Sequence, residues 1–324
     1  MKKIVSIAVF AMLGIIAILT TAAIYFPSLQ MKTDQDIEAL NPLYTYENKV
    51  QVRLSRITQM KKNVMRGLLV QGGGVQTQEV FFGVFLIKHP NHGYILFESG
   101  FGKSTFQNYD SLSSSQKGLL NVTDISNLST KLSEHGVNAN QIQYIILSHL
   151  HWDHTGSIAE FPNAKIITTA TEYDWAISLK NTPTIQVFKN EIKQQSLKWR
   201  FIKFSNKPFA TFEKSLDLFK DGSLILVPLP GHTPGQMGLF AKLESGRNVF
   251  FIGDSSWLKD GVEFTKRKPY VLNRFFKTDH SIFNSDVTIL RIHKLMNADP
   301  NLFVVPSHDY EASSWMEDFP KYTF

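Results

Sequence analysis

Four times in this chain an apolar run that reads as a β-strand ends in a histidine or an aspartate. Tyr144-Ile145-Ile146-Leu147 runs into Ser148-His149-Leu150-His151-Trp152-Asp153-His154. Leu224 to Val227 leads to Pro230-Gly231-His232-Thr233-Pro234-Gly235. Phe250-Phe251-Ile252 leads to Gly253-Asp254, and Val304-Val305 to Pro306-Ser307-His308. A strand end is a rigid support, so polar side chains that follow several strands gather at one edge of a sheet system. The pattern constrains the chain to a fold that sets these strand ends side by side.

The residue types at those ends point to metal chemistry. Alternate residues of an extended chain face the same way, so His149 and His151 converge on one position. As the chain turns, Asp153 and His154 face a second. Zinc accepts imidazole nitrogen and carboxylate oxygen at about 2.0–2.2 Å in near-tetrahedral geometry. Four such ligands on one ion leave no room for water, whereas two ions can share them. His232, Asp254 and His308 are the candidate ligands from distant segments. The alternative for residues 149–154 alone is a polar loop rich in histidine. The chain has no cysteine, which excludes disulfides, thiolate zinc ligands and a cysteine nucleophile. Gly72-Gly73-Gly74 lacks the lysine and spacing of a phosphate loop and has no nucleotide role. His89, His92, His135, His280 and His293 lack a comparable context and read as surface or core residues.

Between these sites the text alternates short strands and helices. Strands are expected at Val50–Leu54, Val80–Lys88, Gly93–Phe97, Gln143–Ser148, Ala164–Thr168, Leu224–Val227, Asn248–Ile252 and Leu302–Val305, with a hairpin turn at His89–Gly93. Helices are expected at Ile125–His135, capped by Ser126 or Asp124 and stopped by Gly136, at Thr171–Leu179 and at Asp286–Met296. This order suits an α/β layered domain, sheets inside and helices outside. The segment from Asn181 to Phe212 has no clear period and carries Phe188, Trp199, Phe201, Phe204, Phe209 and Phe212. It reads either as a lid or lining for the site or as an insertion whose aromatics pack in the core.

The N-terminus is different in kind. Lys2 and Lys3 precede a run from Ile4 to Phe26 without a charged residue. It is long enough to span a bilayer as a helix, with the N-terminus on the cytoplasmic side. An uncleaved membrane anchor is the preferred reading, and a cleaved signal is the alternative. The expected organisation is an anchor or signal at 1–28, a tether at 29–43 and a catalytic domain at 44–324. The catalytic domain is expected outside the cytoplasm, membrane-anchored, or secreted or periplasmic if the segment is cleaved. With 34 Lys+Arg against 28 Asp+Glu the chain carries +6. Its basic residues are scattered, so no nucleic-acid partner is expected.

The motif HxHxDH at 149–154, the Gly-His at 231–232, Asp254 after a strand and the final His308 together resemble the metallo-β-lactamase superfamily. The resemblance covers about residues 50 to 315. It implies a four-layer αββα sandwich with its metals at one edge. Carried over by position, His149, His151 and His232 would hold one zinc ion, and Asp153, His154 and His308 a second. Asp254 would bridge them, and other divalent transition metals could replace zinc. The attacking group would be a hydroxide shared by the two ions. Asp153 would orient it or pass its proton to the leaving group. The stretches Gly83–Pro90 and Ile95–Gly100, with Pro230–Gly235, are similar to the N-acyl homoserine lactonase-like branch. That similarity implies hydrolysis of a small-molecule lactone or related ester. A β-lactam, thioester or phosphodiester on the same site, or a non-catalytic tethered binding protein, are the alternatives. Two positions depart from the branch. Glu98-Ser99-Gly100 stands where Asp-Thr-Gly is common. Trp257 stands where the lactonases place a substrate-contacting tyrosine, so it would either donate from its indole N–H or wall the substrate pocket.

Overall fold

The computed structural model describes residues 50–110, 112–114, 117, 126–180 and 186–324. The charge-free run at 4–26 and the tether lie outside these residues. Among the described residues no helix is long and apolar enough to cross a membrane.

The described chain begins with β1 (Arg53–Met65), β2 (Thr77–His89) and β3 (Gly93–Phe97), followed by helices α1 (Lys103–Asp110) and α2 (Leu128–Glu134). Next come β4 (Ile142–Ile146), a helical turn α3 (Trp152–Thr155), β5 (Lys165–Thr169), α4 (Ala170–Ser178), a second turn α5 (Lys189–Ile192) and β6 (Lys198–Ile202). The second half holds β7 (Leu216–Asp217), β8 (Leu224–Pro228), β9 (Met237–Lys242) and β10 (Asn248–Phe251). It ends with α6 (Lys259–Glu263), α7 (Tyr270–Phe276), α8 (Ile282–Ala298) and β11 (Leu302–Val305).

Strands β1 to β6 form one sheet in sequence order, and a second sheet has the order β11-β10-β9-β8-β7. Side chains of a strand alternate between its two faces. In β2, Phe85 and Ile87 point between the sheets while Val84 and Leu86 point outward. In β10, Val249 and Phe251 point between the sheets and Phe250 outward. The inner faces share one core of Phe85, Phe97, Ile146, Leu226, Leu239 and Phe251. The outer face of the first sheet packs on Leu128 and Leu132 of α2 and Ala176 of α4. The outer face of the second packs on Ile289, Ile292 and Leu295 of α8. The result is helix, sheet, sheet, helix, as the resemblance implies.

The elements differ from the sequence reading mainly at their ends. The first strand starts at Arg53 and runs to Met65, paired along its length with β2. Val52 makes only an isolated bridge to Leu243. Helix α2 starts at Leu128 because Asn127, not Ser126, caps it, accepting from Thr130 N at 3.1 Å. Asp124, the other expected cap, lies outside the described residues. Helix α8 starts four residues before Asp286, capped by Ser281. Asp286 is taken instead by a salt bridge to Arg267. The core reading of Asn181–Phe212 holds for three of its six aromatics. Phe209 and Phe212 are buried beneath α8, and Phe204 packs against the inner core. Phe188 packs against Trp152 of the metal-ligand loop.

Candidate metal centre

Strand pairing explains why the candidate ligands meet. Strand β10 is parallel to β11 and antiparallel to β9, and β9 is antiparallel to β8. So β8, β10 and β11 all end at the same edge, and His232, Asp254 and His308 leave it together. His149, His151, Asp153 and His154 follow β4 of the other sheet. Two glycines make the approach possible. Gly253 has φ +54°, and an added Cβ would lie 2.8 Å from the Ser148 side chain. Gly231 has φ +148°, and an added Cβ would lie 2.6 Å from the backbone of Ser285.

All seven predicted ligands come together. His149 Nε2 and His232 Nε2 each lie 3.0 Å from His151 Nδ1. Around the second position, Asp153 Oδ2 is 3.8 Å from His154 Nε2 and 3.5 Å from His308 Nε2. Asp254 lies between. Its Oδ2 is 3.6 Å from His232 Nε2 and 3.3 Å from His308 Nε2, and its Oδ1 is 3.6 Å from His154 Nε2. Carboxylate and imidazole groups thus form two adjoining clusters sharing one aspartate. The set is buried, and Asp153, with 13% of its side chain exposed, is its most open member.

The donor chemistry fits cations. His149 Nδ1 meets Ser148 Oγ at 2.9 Å, and His154 Nδ1 meets Glu98 Oε2 at 3.2 Å. His232 Nδ1 meets Asp279 Oδ1 at 3.2 Å, and His308 Nδ1 meets the Phe81 carbonyl at 3.1 Å. A proton on each outward nitrogen leaves the inward one with a bare lone pair, as a metal ligand requires. His151 is turned the other way, with Nδ1 inward, and can supply at most one proton to its two 3.0 Å contacts. At least two lone pairs therefore face one another, an arrangement that a cation resolves. Burial and neighbouring imidazoles hold His149 and His151 well below the ordinary histidine range, so both are neutral. Burial would also lower His154, but Glu98 and then Asp153 raise it to about 10, so without an ion its inward nitrogen keeps a proton that a bound metal would displace.

Four supporting residues were not found from the sequence. Glu172 on α4 is fully buried, and its carboxylate accepts from Leu150 N at 2.9 Å, Thr233 Oγ1 at 2.7 Å and Gly235 N at 3.0 Å. It ties the His149–His151 segment to the His232 turn. Lys268 donates to the Asp254 carbonyl at 2.5 Å and to Asp279 Oδ1 at 2.6 Å, with both side chains nearly buried. Asp279 in turn fixes His232. Glu98, noted as a departure, is 1% exposed with φ +67° and supports His154. Nothing in the local text marks Glu172, Lys268 or Asp279, because each reaches the site from a helix or loop far along the chain. Trp257 donates from Nε1 to Asp254 Oδ2 at 3.0 Å. Its N–H is therefore engaged by the shared aspartate, and the ring packs beside Leu69, Val70 and Leu258.

Two of the histidines expected to be surface or core residues are held in the fold by hydrogen bonds, although His89 also groups with His92 and Asp221 as possible ligands. His89 is buried, accepts from the backbone N–H of Asn91 and His92 through Nδ1 and meets Ser223 Oγ through Nε2. His293 bridges the Val262 carbonyl and Asn297.

A two-sheet sandwich with this histidine and aspartate edge defines a class, and the family model described as the metallo-beta-lactamase superfamily matches residues 84–308. The chain belongs to that superfamily of hydrolases. Lactonases are among the proteins it is similar to. An N-acyl homoserine lactonase AttM of Rhizobium radiobacter is 30% identical over 128 residues, 40% of this chain and 46% of that protein. The match thus spans about half the length of the curated relative. An N-acyl homoserine lactonase of Bacillus cereus is 25% identical over 237 residues, 71% of this chain and 82% of that protein. Among solved structures, an N-acyl homoserine lactone hydrolase with N-hexanoyl-L-homoserine at its catalytic metal centre superposes with TM-score 0.64. It is 21% identical, over 85% of this chain and 99% of the other. AidC, a dizinc quorum-quenching lactonase, superposes with TM-score 0.53 at 17% identity, over 86% of this chain and 90% of the other.

Proposed function

We propose that this chain is a dinuclear zinc hydrolase that opens a lactone or a related carboxylic ester with an apolar tail. The observation that carries the reading is the pair of adjoining clusters joined by Asp254. The lactonases among the relatives supply the substrate class. His149, His151 and His232 would hold one ion, Asp153, His154 and His308 the other, and Asp254 both. Bound there, two zinc ions lower the pKa of a shared water and polarise a substrate carbonyl. The chain's own groups do the rest. Glu98, Ser148, Asp279 and the Phe81 carbonyl hold four imidazoles in one tautomer and orientation. Asp153, on the open side, takes up the proton released by the attacking water and passes it to the alkoxide oxygen that leaves when the acyl C–O bond breaks. An ester needs little such help, whereas an amide nitrogen must be protonated before it leaves. Trp257 brings no hydroxyl to the substrate and braces Asp254 instead.

The test is a substrate panel. Metal-supplemented full chain is assayed against acyl homoserine lactones, simple esters, a β-lactam, a thioester and a phosphodiester. Preferred hydrolysis of lactones or esters with long tails supports the reading. Turnover of only a β-lactam, thioester or phosphodiester overturns the substrate class and leaves the metal site.

The run at Ile4–Phe26 supports a membrane-anchored enzyme with its catalytic domain exported. The full chain is expected to stay in the membrane fraction after an alkaline wash. Recovery of a soluble chain starting near Ile24 would show cleavage instead.

A further inference from the structure

Helix α7 (Tyr270–Phe276) is apolar at five of its seven positions by type, yet buries none of them. Within it Phe275 is 71% exposed, and close by in the chain lie Phe264 at 53% exposure, Ile282 at 40% and Phe283 at 71%. Exposed large apolar side chains so concentrated in one stretch of surface chain mark an interaction site. The same stretch is basic. From Phe264 to Thr278 it contains Lys266, Arg267, Lys268, Arg274 and Lys277 and no acid. Arg267 and Lys268 are committed to Asp286 and Asp279. Lys266, Arg274 and Lys277 form no ion pair with a carboxylate among the described residues, and the Lys266 ammonium lies 5.2 Å from the centre of the Phe264 ring.

The stretch is suspended from the metal centre. Lys268 and Asp279 meet at its base beside His232. His280 N and Ser281 N then donate to the carbonyls of His232 and Gly231 at 2.9 and 3.0 Å. The base of the stretch is therefore anchored beside the His232 ligand.

We propose that this face docks on an anionic lipid bilayer. Aromatic and aliphatic side chains that enter the interface, flanked by lysine and arginine whose stems lie along it, are the chemistry of interfacial binding. Each cation near an anionic surface adds roughly fivefold to the docked population. As the proposed anchor, the charge-free run at 4–26 would put a bilayer within reach. Residues 27–49 could span at most about 3.4 Å each, enough to pass a domain of this size. Docked, this stretch holds the metal centre beside the lipid, where a substrate with an apolar tail is concentrated. The docking itself does not depend on which bond the enzyme breaks.

The chain has no cysteine, so single labels are clean. An environment-sensitive fluorophore is placed on Phe275→Cys, on Phe283→Cys, and on Asn301→Cys as control, since Asn301 is exposed at the start of β11, away from the ligands. Full chain is incorporated in vesicles of phosphatidylcholine with or without phosphatidylglycerol, using brominated acyl chains as quencher. Labels at 275 and 283 are expected to shift to the blue and be quenched by bromolipid in the anionic vesicles, while the label at 301 does neither. Arg274→Gln and Lys277→Gln should each cut the docked-to-undocked ratio about fivefold, and salt should do the same. Labels at 275 and 283 that stay water-exposed would overturn the proposal. So would labels that shift to the blue without bromolipid quenching, because the occupant would then be the N-terminal run or a second copy of the chain.

Discussion

The residues that matter most at this site are those that touch its ligands from behind. Glu98 and Asp279 each meet the outer nitrogen of one histidine, and removing such a partner typically costs 10–100-fold in metal affinity. Glu98→Gln and Asp279→Asn should both weaken zinc binding by about that factor in competition with a chromophoric chelator. An affinity unchanged in both would mean that the carboxylates do not orient the ligands. Trp257 argues differently. Its N–H lies 3.0 Å from Asp254, so Trp257→Tyr both frees that oxygen and brings a hydroxyl to the site. Lactone turnover per bound zinc is expected to rise even where the lost brace weakens zinc binding, and a fall in that turnover would place Trp257 itself on the substrate. The ligands were legible in the sequence because each follows an apolar strand with a turn signal. Their partners were not, since a lone buried Glu172 or Lys268 looks locally like any charged residue on a helix or loop.

Among the elements, α4 and α5 are held to the site by buried carboxylates. Glu172 on α4 receives three hydrogen bonds from the two ligand loops, and Glu172→Ala would orphan three donors. The loss should be about 3 kcal/mol, read by urea unfolding of the zinc-loaded protein. Glu191 on α5 accepts from Thr155 and Asn108, and burial raises it to about 7 from 4.5. Below pH 4.5 both folded and unfolded chains hold that proton, and between there and about 7 only the folded chain does. Its contribution to stability therefore falls as pH rises through this window, by at most about 1.4 kcal/mol per pH unit. Glu191→Gln should flatten the measured slope by up to that amount, and an unchanged slope would refute the assignment. Strands buried on both faces announced themselves as apolar runs, and Leu302–Val305 falls where it was read. The Trp199–Phe212 stretch did not, because aromatic residues that fill a core and those that line a pocket have the same composition. Strand β9 escaped notice because Met237-Gly238 opens it without a clear alternation.

At the scale of the whole molecule, two sheets bring four strand ends to one edge, and the site is the consequence of that topology. The order of layers could be reached from the sequence only through the family resemblance, since no local pattern says which sheet a strand joins. The sharing of Asp254 between two clusters is likewise a property of the assembled fold. The central claim is that these clusters hold two ions. The direct measurement is calorimetric zinc titration of metal-free full chain, with elemental analysis of the product. About two zinc ions per chain are expected, both lost in Asp254→Ala and both kept in His293→Ala. No zinc bound, or full binding in Asp254→Ala, would contradict it.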